Sequence, residues 1–307
     1  MKPTNWVSLL GNYRLEDGNV VFNGGVFTED SGQTTIEVGN FVCDRELGDG
    51  TISSTIIFHD DPSLSSAGLI LYYHPSTGAF VAVRIGGDTL VSVRTFTNQQ
   101  WIDHGSHGPS GQLKEDQPYQ VVVHVVGSRV RVSLDGIQII DVSLSFTLPR
   151  GQTGIWASGL NDISFIDFDV EPERPKLFVV MQFTEPFNDL YSEVIQKIGE
   201  DSGFTVNRAD ETYGPGVVIA DIAQSIVEAK AIIADITPNN PNVYWEVGYA
   251  HALRKPTILI AERETPLPFD VSPFRTLFYD NTIFGKSKLE EGLKNHIKEI
   301  LEQWAIT

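Results

Sequence analysis

Two different rhythms of apolar residues divide the chain. Residues 1 to about 171 carry short runs rich in β-branched and aromatic residues, at 51–58, 68–73, 79–85 and 119–126, with turn chemistry such as Ser76-Thr77-Gly78 and Gly86-Gly87-Asp88 between them. Such runs read as strands. The segments 129–134 and 137–142 flank Asp135-Gly136, the two-residue loop that favours a β-hairpin. This half is expected to be an all-β antiparallel sandwich.

Beyond Val170-Glu171-Pro172-Glu173-Arg174-Pro175, a charged, proline-punctuated connector, the rhythm changes. Leu177-Phe178-Val179-Val180-Met181-Gln182-Phe183 is a nearly continuous apolar run, as a strand buried on both faces requires. Phe187, Leu190, Tyr191, Val194, Ile195 and Ile198 then recur at helical spacing until Gly203. Further strands are expected at 204–208, 231–236, 256–261 and 276–279, with helices over 217–228, from Pro241 onward, and along the stripe Leu289, Leu293, Ile297, Ile300 and Trp304. This alternation predicts a five-stranded parallel sheet with helices on both faces, a flavodoxin-like arrangement. The expected division is therefore a sandwich over 1–171, a linker over 172–176 and an α/β domain over 177–307.

Composition narrows the partners. A net charge of -18, from 40 acidic against 22 basic residues, argues against a general grip on DNA or an anionic membrane, while leaving a local cationic pocket open. The single cysteine, Cys43, has no internal disulfide partner, and no signal-like or membrane-spanning segment is evident, so the expected setting is the cytoplasm. In the first half, Asp60-Asp61 and His104-Gly105-Ser106-His107 could be read as metal ligands, but solvated turns are the favoured reading and no metal site is expected. Trp101, Trp156 and Tyr73 could form a sugar-stacking platform, although sandwich aromatics more often build core.

The chemistry is concentrated in the second half. Three loops, 184–188, 209–216 and 237–241, are expected at the carboxyl edge of the sheet, where open α/β sheets bind ligands. Gly214-Pro215-Gly216 opens a helix whose N–H groups would attract phosphate, and Arg208 is the nearest cation in sequence. Asn240-Pro241 is an N-cap followed by proline, so a helix should start there and carry Glu246 near its first turn among Tyr244, Trp245 and Tyr249. The helix start would lower the pKa of Glu246, and burial among the aromatics would raise it. Asp235 reads either as an acceptor for a ribose hydroxyl or as a strand-end residue tying down the next loop. His251 reads as structural.

Both halves resemble known families. The succession 67–73, 127–136 and 151–157 resembles the concanavalin-like, laminin-G-type jelly rolls, which implies a sensor or assembly domain that engages an activating ligand or partner. Met181-Gln182-Phe183, Arg208-Ala209-Asp210-Glu211, Ala234-Asp235-Ile236-Thr237 and the stretch from Asn240-Pro241-Asn242 through Tyr244-Trp245-Glu246 to Leu253 resemble the nucleoside 2-deoxyribosyltransferase-like and TIR-like group. That resemblance implies that Glu246 is catalytic and breaks a ribose–base N-glycosidic bond. It implies NAD+ as substrate in the TIR branch, with no further cofactor, and self-association into a homo-oligomer. Substrate contacts are expected from Phe183, Arg208, Asp210, Gly216, Asp235, Asn242, Tyr244 and Trp245. Bacterial proteins of this combination serve antiphage defence, a role the resemblance extends to this chain.

One departure separates the branches. Transferases of the group commonly carry an aspartate six residues before the glutamate, and here that position is Asn240, which cannot protonate a leaving base. Nicotinamide leaves a cationic pyridinium as a neutral molecule, so a single carboxylate facing the developing positive charge suffices. This favours an NAD+ glycohydrolase, with hydrolysis or cyclisation of ADP-ribose both open. Asp210, Glu211 and Asp235 could supply the missing acid, which keeps a nucleoside or nucleotide N-glycosidase or deoxyribosyltransferase as an alternative. A non-catalytic nucleotide-sensing or glycan-binding module is the third reading.

Overall fold

The computed structural model describes residues 1–28, 34–211 and 218–306. The chain divides into two compact units, one of Met1–Val125, Arg129–Leu144 and Leu148–Glu173, the other of Val126–Ser128, Ser145–Thr147 and Arg174–Thr307. No helix among the described residues is long and apolar enough to cross a membrane.

The first unit is an antiparallel β-sandwich. One sheet runs in the order Trp6–Leu10, Thr34–Leu47, Gly151–Gly159, Ser66–Tyr73, Phe80–Gly86, Thr89–Thr97, Gln100–His107, and the short strand Val26–Thr28 also pairs with Thr34–Leu47. The other runs Ile137–Ser143, Arg129–Leu134, Pro118–Val126, Asp49–Phe58, Ile163–Glu173, Asn19–Asn23, Asn12–Glu16. Period-two alternation sends Val130, Val132 and Leu134 inward while Arg129, Arg131 and Ser133 remain partly exposed. The hairpin between Arg129–Leu134 and Ile137–Ser143 forms as its turn chemistry demands, with Asp135 at φ 50° and Gly136 at φ 78°. Ile52, Ile56, Phe58, Leu69, Leu71 and Val83 are fully buried. Side chains of this size each contribute about 1.5–3 kcal/mol when taken from water.

The second unit is built on five parallel strands: β1 Lys176–Val180, β2 Thr205–Arg208, β3 Ala231–Asp235, β4 Thr257–Glu262 and β5 Thr276–Tyr279, in the order β2-β1-β3-β4-β5. Among the described residues, four helical segments longer than a single turn cover the sheet. The first, α1, joins Phe187–Leu190, the π-wound turn Tyr191–Ile195 and Gln196–Asp201; α2 is Val218–Glu228, α3 Pro241–Ala252 and α4 Ile283–Ile306. Alternate strand residues feed two separate cores. Leu177, Val179 and Ile233 pack with Tyr191 and Val194 of α1 and Leu289 and Leu293 of α4, whereas Phe178, Val180 and Ile232 pack with Ile226 of α2 and Val243 and Val247 of α3. This two-sided burial explains the continuous apolar runs of β1 and β3. Strand order reverses between β1 and β3, so a crevice opens beyond their carboxyl ends.

The start of α3 is fixed by its own sequence. Asn240 sits in extended geometry (φ -121°, ψ 118°), its side chain accepts the backbone N–H of Asn242 at 3.0 Å, and Pro241 occupies the first helical position. Replacing Asn240 with alanine is expected to cost about 1 kcal/mol of stability, read as a lowered urea midpoint at unchanged slope. An unchanged midpoint would mean that the cap adds nothing to the helix.

Candidate functional site

The crevice beyond β1 and β3 holds a cavity of about 540 Å³ with Glu246 in its wall. Met181, Gln182, Phe183 and Thr184 line it from the loop after β1, and Ile219 and Ile222 from α2. Asn240, Asn242, Val243, Trp245 and Glu246 complete it. Asn242, Trp245 and Glu246 stand three and four residues apart, the spacing that puts side chains on one helical face.

Glu246 is 8% exposed, and among the described residues no donor or cation meets its carboxyl group. Burial alone pushes its pKa up to about 7. The opposing influence expected from the helix start is missing because Glu246 is the sixth residue of α3, not a first-turn residue, and the dipole effect fades within one turn. Glu246 is the sole charged side chain among the described residues of the wall; the other polar groups are the hydroxyl of Thr184 and the amides of Gln182, Asn240 and Asn242.

Two aromatic rings share the cavity wall with the carboxyl group. Trp245, 42% exposed, stacks nearly parallel on Tyr249, with centroids 5.5 Å apart and planes 4° from parallel. Phe183, 45% exposed, lies with its centroid 5.3 Å from the guanidinium carbon of Arg208. Each ring is thus supported from behind and has area free for a planar group.

Of the expected substrate contacts, Phe183, Asn242 and Trp245 meet Glu246 at the cavity, and four others stand off its wall. Arg208 is buried behind Phe183. Its Nε and Nη2 donate to Asp210 at 2.6 and 2.7 Å, its Nη1 donates to Asn188 Oδ1 at 3.0 Å, and its guanidinium carbon lies 4.3 Å from the Tyr191 ring centroid. A guanidinium so committed, with its Asp210 partner, supports the Phe183 loop. Tyr244 is likewise turned to a neighbour, its hydroxyl donating to Asn239 Oδ1 at 2.6 Å. Gly216 lies outside the described residues.

Asp235 ties the end of β3 to the loop that follows. It is fully buried at the end of β3, where Oδ1 accepts the backbone N–H of Thr237 at 3.0 Å and Oδ2 accepts the Tyr279 hydroxyl at 2.8 Å. Burial raises its pKa to about 7 against the lowering effect of those hydrogen bonds. Tyr279→Phe would strip one donor from a buried carboxyl group, at an expected cost of about 1–3 kcal/mol in chemical denaturation. A loss within error of zero would show that the bond carries no stability.

His251 packs against Phe274, with ring centroids 4.4 Å apart, in keeping with a structural role. In the sandwich, Trp156 is buried in a cluster with Ile70, Phe80 and Ala82, and Tyr73 and Trp101 pack on it. Asp60 accepts from Ser65 Oγ at 2.7 Å, Asp61 from the backbone N–H of Ser63 at 2.9 Å, and His104 Nε2 pairs with Thr95 Oγ1 at 2.8 Å. The described residues contain no group of three or more His, Cys, Asp or Glu arranged to hold a metal ion.

No family model and no curated protein matches this sequence. Solved structures similar to it include the carbohydrate binding module CBM66 from Bacillus subtilis, at 16% identity and TM-score 0.46, covering 55% of this chain and 96% of that one. A Bacillus subtilis protein of unknown function with a galectin-like fold gives 15% identity and TM-score 0.41, over 54% and 89% of the two chains. The Bacillus licheniformis beta-glucanase gives 10% identity and TM-score 0.41, over 55% and 92%. Similarity at this level carries no argument about chemistry. The resemblance of the second half to TIR-like enzymes finds no support among these structures.

Sequence reasoning missed part of the wall. Ile219 and Ile222 of the helix expected over 217–228 both line the cavity. An available signal was the spacing of Ile219, three residues before Ile222 and seven before Ile226, which puts it on the same helical face.

Proposed function

We propose that the second unit is a flavodoxin-like, TIR-like N-glycosidase that cleaves the nicotinamide–ribose bond of NAD+. The observation that carries this reading is Glu246, a buried carboxyl group without a protein partner among the described residues, in the wall of a cavity that two supported aromatic rings also line. Such a group has given up hydration with no compensation from the protein, and a cationic ligand restores it. Among the described residues the wall has no basic side chain, which suits a pyridinium cation better than a phosphate.

The chemistry balances without an external acid. The bond between the ribose anomeric carbon and the pyridinium nitrogen breaks, its electron pair passes to that nitrogen, and nicotinamide departs neutral. The Glu246 carboxylate stabilises the positive charge left on the sugar, or bonds to it, and water completes hydrolysis to ADP-ribose with its proton passing to Glu246. The alternative cleavage of a neutral nucleoside needs a proton donor. Asn240 is occupied as the helix cap, Asp210 is paired with Arg208, and Asp235 is sealed away from the cavity wall, all of which supports NAD+ over a plain nucleoside.

We further propose that the protein self-associates and that the sandwich takes the activating ligand. The test is incubation of the full chain with NAD+ over a range of protein concentrations, following free nicotinamide by chromatography beside a panel of nucleosides and nucleoside monophosphates. Nicotinamide release from NAD+, without base release from the panel, is expected. Base release from nucleosides alone would transfer the assignment to the deoxyribosyltransferase reading, and ligand binding without turnover at any concentration would favour a sensing module.

A further inference from the structure

The first unit contains a second uncompensated charge, and its sign is opposite. Arg84 is 8% exposed on the strand Phe80–Gly86, and no carboxylate contacts it. Of the five N–H donors of a guanidinium, Nε–H and one on Nη2 reach Ser66 Oγ, at 3.2 and 3.0 Å, and the other three meet no acceptor among the described residues. Nη1, which meets no acceptor among the described residues, keeps some contact with solvent.

Arg84 has a shaped surrounding. Its guanidinium carbon lies 4.6 Å from the Trp101 ring centroid and 4.2 Å from that of Trp156, in the angle of two indoles whose planes meet at 82°. Cross-strand register aligns Trp156, Gly68, Arg84, Ser92 and Ser106 in one row across the sheet, and residues paired in this way share a face. Gly68 stands between Trp156 and Arg84 without a side chain. The nearby carboxylates of Asp88 and Asp103 are held by Arg94 at 2.7 and 3.0 Å. Contact with indole faces offsets part of the cost of burying the cation, but it fills none of the three free donors.

We propose that Arg84 is the anchor of a binding site for a singly charged carboxylate ligand, received end-on by Nη1 and Nη2 beside the Trp101 and Trp156 rings. Two carboxylate oxygens match the free fork of the guanidinium. The net charge of -18 disfavours a doubly charged anion relative to a singly charged one. The carboxylate can be that of a sugar acid or of a small free acid, and the two share this chemistry.

The test is calorimetric titration of the full chain with sodium glucuronate, sodium acetate, glucose, sodium sulfate and sodium phosphate at matched ionic strength. Saturable binding of glucuronate is expected, with none for glucose. Acetate binding as tightly as glucuronate would assign the site to small acids, and weaker acetate binding would assign it to sugar acids; both support the carboxylate site. Arg84→Gln, checked for folding by circular dichroism, is expected to weaken binding by roughly tenfold or more. Arg84→Lys, which keeps the charge without the fork, is expected to fall between the two and serves if the glutamine variant does not fold. Wild-type protein that binds neither carboxylate, binds only sulfate or phosphate, or binds as well after Arg84→Gln would overturn the proposal.

Discussion

Glu246→Gln is expected to reduce nicotinamide release from NAD+ by roughly a hundred- to a thousandfold, the loss typical of removing the group that meets transition-state charge. Glutamine preserves the shape of the side chain, so the cavity between Phe183 and Trp245 stays open and substrate can still enter. What it removes is the negative charge and the capacity to bond to the sugar carbon. The loss should therefore fall on kcat, with KM changed much less. A glutamine variant that turns over at the wild-type rate would remove Glu246 from the chemistry.

The same substitution is expected to stabilise the fold, in a pH-dependent way. The pKa of Glu246 is raised from its ordinary value of 4.5 to about 7 by burial, so between those limits the folded protein holds a proton that the unfolded chain has released. Stability therefore falls as pH rises across this window and levels off above it. At about 1.4 kcal/mol per pH unit, the Glu246 contribution is a loss of about 3 kcal/mol by pH 8. Asp235, raised from 3.8 to about 7, drives the wild-type protein the same way. Urea unfolding should show Glu246→Gln gaining stability over wild type at pH 8 and much less of that gain at pH 5. An equal difference at both values would mean that Glu246 titrates normally in the folded chain. Catalysis needs the ionised form, so kcat/KM is expected to rise through pH 7, where stability has been lost. A buried charge of this kind trades stability for function.

The architecture was legible where short-range chemistry decides it. Asp135-Gly136 specifies its hairpin because both residues tolerate positive φ. The run from Leu177 to Val180 announced a strand covered on both faces, and alternate residues of it feed the two cores. Asn240-Pro241 marked the start of α3 and so brought Glu246 to the crevice. The strands Trp6–Leu10 and Asn12–Glu16 were harder to read, since Val7, Leu9, Leu10 and Leu15 are apolar yet exposed and give no clean alternation.

Within the site, the α3 residues and Phe183 singled out by sequence share one cavity wall, while Arg208 and Asp235 lie off it, bonded to other residues. The Asp210 partner of Arg208 is two positions away, but Asn188 lies 20 positions away, and Tyr279, which holds Asp235, lies 44 positions away. Hydrogen bonds between separate strands and loops are fixed by the assembled sheet, and local patterning carries no trace of them. The balance of influences on Glu246 also depended on its depth below the surface and its place one turn into the helix, which only the assembled structure supplies.

The most direct measurement is a crystal structure with carba-NAD, in which a carbon replaces the ribose ring oxygen next to the nicotinamide and cleavage is blocked. The expected result is a nicotinamide ring between Phe183 and Trp245, with a Glu246 oxygen about 3–3.5 Å from the carbon that bears it. An analogue seated elsewhere, such as the neighbouring hollow walled by Thr237, Arg263 and Asp280, with Glu246 out of reach of that carbon, would contradict it.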